Sequence, residues 1–175
     1  MKIACLLDRG FEDSEFEKPY DAFKEAGHEV VIIGHEAGKE ITGSKARVTT
    51  KTEKGIEDVR SDAFDALFIP GGSSPDHLRI NAKVNRFAAQ MMEARKPTFA
   101  ICHGPQLLIA ADQYKNHTMT AWYTVQDDLE KMGARVVDEE VHVDRNLVTS
   151  RKPDDIPAFI GASLALMKEP AKATR

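Results

Sequence analysis

The sequence predicts an α/β fold with a mainly parallel central sheet. Apolar runs of strand length alternate along the chain with segments of helical period, an alternation typical of parallel strands joined by helices. The runs at 3–7, 29–33, 66–69 and 98–101 are largely apolar, as expected of buried strands. We find no linker, repeat or low-complexity tract, so residues 1–175 are expected to form one domain, with a frayed polar tail at 168–175.

The remaining elements follow in chain order. Helices are predicted at 13–26, 82–94, 105–111, 124–132 and 156–167. Further short strands are predicted at 118–120, 135–137, 141–143 and 147–149. The pattern weakens between 38 and 57, where 41–43 and 46–51 fit a short hairpin or an edge excursion. Gly27 and Gly133 terminate helices, and Asp144–Asn146 forms a hairpin turn.

Composition excludes several classes of function. The net charge is −4 and no basic block occurs, so no nucleic-acid partner is expected. No apolar run reaches the length of about 18 residues that a membrane span needs. Two cysteines without an export signal indicate reduced thiols in a cytoplasm. The histidines show no zinc spacing with these cysteines, so no metal is predicted.

The segment with the clearest chemical signal is Phe99–Pro105. An apolar strand ends on Cys102, and His103, Gly104 and Pro105 then open a helix. This order predicts a nucleophile elbow, with the thiol facing the amino end of a helix that should lower its pKa. A small buried hydrophobe is the alternative for Cys102. That alternative is preferred for Cys5, inside the first strand.

Several segments resemble the PfpI family of intracellular proteases and stress proteins. Ala100–Gln106 resembles the family's elbow, and Gly10–Asp13 resembles its segment after the first strand. Pro70–Arg79 and Thr149–Phe159 match two further family segments in the same order. The resemblance covers nearly the whole chain. It implies a flavodoxin-like three-layer αβα sandwich with a cysteine nucleophile elbow.

The resemblance also implies roles for residues near the thiol. Cys102 matches the family nucleophile, and Glu12 matches the buried acid that hydrogen-bonds the cysteine sulfur. Taken alone, an acidic residue in a loop is usually a surface charge. Glu15 and Glu17 are rivals for the role of Glu12 but are ranked lower, because both fall within the predicted helix.

A histidine and a second acid complete the implied catalytic set. His103 matches the family histidine. Asp76 matches the acid that orients this histidine from a neighbouring subunit, which implies a homodimer or a higher homo-oligomer. A turn or helix-cap role is the local alternative for Asp76.

Backbone and pocket residues follow from the same resemblance. The amides of Gly72 and His103 would bind a developing oxyanion, although two glycines after a strand also form a simple tight turn. Gly71 and Trp122 would line the substrate pocket. The alignment can shift by one residue at this point, so Tyr123 stays an alternative to Trp122.

The implied function is a cofactor-free, metal-free cysteine enzyme acting on reactive carbonyls. The resemblance suggests a glyoxalase-like or deglycase-like activity in stress protection, with methylglyoxal converted to lactate, or with glycated protein as the substrate. A cysteine peptidase or amidase working through an acyl-enzyme is the first alternative. A redox-sensing or chaperone-like stress protein without turnover is the second.

Overall fold

The computed structural model describes residues 1–170 and confirms the predicted α/β fold. The strands are β1 (Lys2–Leu6), β2 (Glu29–Gly34), β3 (Glu40–Thr42), β4 (Thr49–Lys51), β5 (Lys54–Gly55), β6 (Ala66–Ile69), β7 (Thr98–Ile101), β8 (Thr118–Met119), β9 (Arg135–Val136), β10 (His142–Asp144) and β11 (Leu147–Ser150). The helices are α1 (Asp13–Glu25), α2 (Ser74–Leu78), α3 (Ala82–Glu93), α4 (Pro105–Ala110), α5 (Tyr123–Lys131) and α6 (Ile156–Lys168). Short 3-10 turns lie at Ile56–Asp58, Ser61–Ala63 and Pro153–Asp155.

A seven-stranded sheet forms the centre of the fold, in the order β10-β11-β7-β6-β1-β2-β5. Neighbouring strands are parallel except β10 and β11, which form the predicted antiparallel hairpin around Arg145. β3 and β4 pair as a separate hairpin, and β8 and β9 as a short parallel pair. The carboxyl ends of the parallel strands therefore meet at one edge, where ligands bind in open α/β sheets.

Helices cover both faces of the sheet, because side chains alternate along each strand. In β1, Ala4 and Leu6 face a core that includes residues of α3, α4 and α5. Ile3 and Cys5 face the opposite core, built with α1 and α6. Buried apolar area of this extent is the main stabilising contribution in such a domain.

Two elements were not predicted from the sequence. They are the two-residue edge strand β5 and the five-residue helix α2. Of the tail predicted at 168–175, residues 171–175 lie outside the described part of the chain, and Lys168 is the last residue of α6. No helix within residues 1–170 is long and apolar enough to cross a membrane.

Candidate active site

Cys102 occupies a sharp turn directly after β7. Its φ of 64° lies in the left-handed region, which costs a non-glycine residue about 1–2 kcal/mol and is common at functional turns. Two backbone hydrogen bonds hold the turn, from the Cys102 amide to the Ser150 carbonyl and from the Trp122 amide to the Cys102 carbonyl, both 2.9 Å. The residue is only 7% exposed and its thiol is free. The geometry is that of the predicted elbow.

The carboxyl group beside the thiol belongs to Glu15. Glu15 is fully buried in the first turn of α1, and its carboxyl is close enough to Cys102 for its charge to raise the pKa of the thiol. Neither oxygen, however, has a partner of standard hydrogen-bond geometry within the described chain. Glu12 instead accepts from the Ser14 hydroxyl and from Lys45 Nζ, both at 3.0 Å, and is partly exposed. The placement predicted for Glu12 is therefore wrong, and Glu15 occupies it.

A visible sequence signal distinguishes Glu15. It lies four residues before Pro19 and eight before Phe23, on the buried face of α1. A carboxyl on an apolar helix face is unusual, because charged side chains are almost never fully buried unless they are paired. A position within a helix is no reason to rank Glu15 below Glu12, because the first turn of α1 lies at the carboxyl edge of the sheet.

Burial dominates the ionisation of this pair. Burial, followed by the charge of Glu12, raises the pKa of Glu15 to about 8. Burial, followed by the charge of Glu15, also raises the pKa of the Cys102 thiol, although the nearby backbone amides of Gly72 and His103 oppose the shift. The predicted lowering by the helix terminus is thus outweighed. The carboxyl of Glu15 therefore ionises first, near pH 8, and the remaining proton of the pair lies mainly on the Cys102 sulfur.

Gly71 and Gly72 bring β6 into contact with the pair. A Cβ on Gly71 would lie 2.3 Å from the Oε1 atom of Glu15 and 2.7 Å from the Cβ of Cys102, so only glycine fits. Gly72 has a φ of 75° and forms an isolated bridge with Phe11, which ties the β6 turn to the segment after β1. Both glycines therefore pack close to the site, and their roles toward a substrate stay predictions.

His103 lies next to the thiol. Its Nδ1 is 3.3 Å from the Cys102 sulfur, and its ring stacks on Trp122 with a centroid distance of 6.2 Å. Burial lowers the pKa of His103, and the charge of Asp76 in the same chain opposes that shift. Asp76 is also paired with Arg79 at 3.3 Å. The contribution of Asp76 across a subunit interface stays a prediction, but its charge already reaches His103 within one chain.

Trp122 rather than Tyr123 borders the thiol and the imidazole. The Tyr123 hydroxyl lies 3.3 Å from Lys152 Nζ, and this side chain is largely exposed. Trp122 is the residue stacked on His103, and its place in a substrate pocket stays a prediction.

A loop that sequence reasoning overlooked lies over the first turn of α1. The buried carboxylate of Asp13 accepts backbone hydrogen bonds from Lys45, Arg47 and Val48 at 2.8–3.0 Å. This anchor places the ammonium group of Lys45 against Glu12, where its charge lowers the pKa of Glu15. No pattern in the sequence connects Asp13 to residues more than thirty positions away.

Other candidate groups are placed elsewhere. Cys5 is fully buried in β1, as predicted, and burial raises the pKa of its thiol. Within residues 1–170, no three histidine, cysteine, aspartate or glutamate side chains are grouped as metal ligands. Arg151 pairs with Asp155 and Asp138 at 3.0 and 2.9 Å, close to β11.

The fold and the elbow are those of the DJ-1/PfpI family, and the chain belongs to that family, whose model matches residues 1–166. General stress protein 18 of Bacillus subtilis is 49% identical over 169 residues, which cover 96% of this chain and 98% of that protein. Protein/nucleic acid deglycase 2 of Escherichia coli is 47% identical, with 95% and 97% covered. A further Bacillus subtilis relative, "Putative cysteine protease YraA", is 48% identical, with 95% and 98% covered.

Solved structures agree with the fold. The TM-score is 0.93 against a two-domain protein from Anabaena variabilis that contains DJ-1/ThiJ/PfpI-like and ferritin-like domains. That pair is 35% identical, and the match covers 99% of this chain but 50% of the other. Drosophila melanogaster DJ-1beta, at 24% identity, gives a TM-score of 0.85 with 96% and 91% covered. The latter likeness concerns the fold alone.

Proposed function

We propose that the protein is a cysteine-dependent enzyme that converts small reactive carbonyls, with methylglyoxal as the model substrate and lactate as the product. The observation that carries the proposal is the buried Glu15 carboxyl, with a pKa of about 8, beside the Cys102 thiol. A carboxyl whose pKa is close to the pH of the reaction can both accept and donate a proton. It can therefore take a proton from one carbon of the substrate and return it to the adjacent carbon. The deglycase name of one relative agrees with carbonyl chemistry at such a site.

The reaction begins with the pair in its singly protonated state. As the Glu15 carboxylate removes the thiol proton, the Cys102 sulfur attacks the aldehyde carbon. Glu15 then gives that proton to the carbonyl oxygen, which leaves a hemithioacetal and a carboxylate. The amides of Gly72 and His103, which face the sulfur in the free enzyme, stabilise the oxygen while it carries negative charge.

Glu15 then moves a hydrogen between the two carbons. Its carboxylate takes the proton from the former aldehyde carbon to give an enediolate. A proton passes between the two enediol oxygens, and Glu15 returns its proton to the second carbon. The product is a thioester of lactate on Cys102. Water hydrolyses it, lactate leaves with release of a proton, and the singly protonated pair is restored.

Limited access to the sulfur favours a small substrate. Cys102 is 7% exposed, and the stacked His103 and Trp122 rings lie beside it. An aldehyde of three carbons needs less space than an extended peptide. This favours free carbonyl compounds over glycated protein as the first substrate to examine.

The test is lactate production from methylglyoxal without glutathione. Cys102→Ala should lose turnover completely, because no other group can form the thioester. Cys5→Ala is the matched control, since it removes the other cysteine from a position in the sheet core. Turnover that survives in Cys102→Ala, or no lactate from the wild type at any pH, would overturn the proposal.

A peptidase or amidase is the second candidate. The contact of 3.3 Å between Cys102 and His103 is of the kind that acyl transfer uses, and one relative carries a protease name. Cleavage of casein or of dipeptide amides that is lost in both Cys102→Ala and His103→Ala would favour it. Peroxide-induced oxidation of Cys102 without turnover of either substrate would favour the redox-sensing alternative.

A further inference from the structure

A concave site lies away from the thiol, at the edge strand β10. The cleft has a volume of about 660 Å³, within the range of small-molecule sites. Its lining includes Lys115, His117, Arg135, His142, Asp144 and Arg145, and these residues define the basic cleft. None of them contributes to the Cys102 site. In the register of the sheet, Asp144 of β10 lies opposite Leu147 of β11, and Leu147 lies opposite Thr98 at the start of β7. Cys102, in contrast, follows the end of β7.

The charge of the cleft has the opposite sign to that of the chain. Lys115, Arg135 and Arg145 line it with a single carboxylate, Asp144, although the chain as a whole carries −4. Cations gathered around one cavity repel each other, and that repulsion is relieved when an anion binds between them.

Asp144 is already engaged by its neighbours. Its carboxylate accepts from the Thr118 amide at 2.7 Å and from Arg145 Nε at 3.0 Å. Arg145 also donates to the Asn116 carbonyl, so this guanidinium is held in place. The local carboxylate therefore fixes Arg145 and the start of β8, and does not neutralise the rest of the cleft.

The other two cations are available to a ligand. Within residues 1–170, Arg135 has no carboxylate partner. Lys115 pairs only with Asp112, and both side chains are more than 60% exposed, so water weakens this contact. A guanidinium matches the paired oxygens of phosphate or carboxylate, and an ammonium adds charge without fixed direction.

We propose that the basic cleft binds a small multivalent anion bearing phosphate or carboxylate groups, held between Arg135, Lys115 and the fixed Arg145. The predominantly polar lining suits a hydrated, charged ligand better than an apolar one. The site is independent of the proposed carbonyl chemistry, since it shares no residue with the Cys102 pair.

Calorimetric titration of the full-length protein with pyrophosphate and with citrate tests this proposal. We expect saturable binding of at least one of them, and the preferred anion tells whether phosphate or carboxylate groups are recognised. Lys115→Gln combined with Arg135→Gln should weaken binding by tenfold or more, because about one charge-assisted hydrogen bond is lost with each cation.

Matched controls distinguish binding in the basic cleft from general electrostatic attraction of the anion to the protein. Arg86→Gln removes an exposed arginine from α3, outside the cleft, and should leave the affinity unchanged. The double variant should also keep the circular dichroism spectrum and the urea denaturation midpoint of the wild type, which shows that it is folded. No binding of either anion by the wild type, or equal affinity in the wild type and the double variant, would overturn the proposal.

Discussion

Replacing the buried carboxyl of Glu15 with an amide should change how stability depends on pH. Glu15→Gln keeps the shape of the side chain but removes its titration. Burial raises the pKa of Glu15 from 4.5 to about 8 in the folded protein, whereas the unfolded chain ionises at its ordinary value. Between about pH 5 and pH 8, the unfolded state has therefore released a proton that the folded state still holds.

The sign and size of the effect follow from this difference in proton binding. The contribution of Glu15 to the free energy of unfolding falls as pH rises through this range, by about 1.4 kcal/mol per unit. The total contribution of Glu15 is therefore up to about 4 kcal/mol between pH 5 and pH 8. In Glu15→Gln this contribution is absent, so between pH 5 and pH 8 the free energy of unfolding should fall less, or rise more, than in the wild type.

Urea denaturation followed by circular dichroism at several pH values measures the effect. The slope of the unfolding free energy against pH is compared between the wild type and Glu15→Gln. The difference in slope reports Glu15 alone, because the histidines titrate in both proteins. Glu12→Gln is the matched control and should keep most of the wild-type slope, because Glu12 is partly exposed and paired with Lys45. A Glu15→Gln variant with the full wild-type slope would refute the assignment of a protonated, buried carboxyl.

Two further predictions concern groups that surround the pair. Lys45→Met should shift the midpoint of the pH–rate profile upward by roughly half a unit, because the lysine charge lowers the pKa of Glu15, while Glu12→Gln should shift it downward. Identical midpoints in all three proteins would show that this ion pair does not act on the site. Gly71→Ala should reduce turnover by roughly tenfold or more, because its Cβ would displace the Glu15 carboxyl by direct overlap. Wild-type kcat in a folded Gly71→Ala variant would contradict the packing described for the site.

Much of the fold was predictable because the parallel strands are fully buried. β6 and β7 are apolar at almost every position, and the structure confirms both at the predicted residues. The hairpin of β10 and β11 was likewise marked by its turn. α2 was missed because it has five residues, too few to show a helical period. β5 was missed because it has only two.

The site could be predicted only where residues adjacent in the sequence form a recognisable pattern. The elbow at Cys102 follows from a strand, a cysteine and a glycine–proline pair that are contiguous in the sequence. The acid has only the weaker signal of helical spacing, which places Glu15 on the same buried face of α1 as Pro19 and Phe23. The raised pKa of the thiol could not be predicted from the sequence either, because it depends on burial and on the position of Glu15 rather than on the helix that follows.

The central claim is that Glu15, and not Glu12, works with Cys102. Lactate production from methylglyoxal by the wild type, Glu15→Gln and Glu12→Gln, each measured from pH 6 to 9, tests it most directly. We expect turnover of the wild type to rise with pH through about 8, as the pair loses its first proton. Glu12→Gln should keep most of that turnover, and Glu15→Gln should lose at least about a hundredfold, as expected for a general acid–base group. A Glu15→Gln enzyme as active as Glu12→Gln would contradict the account.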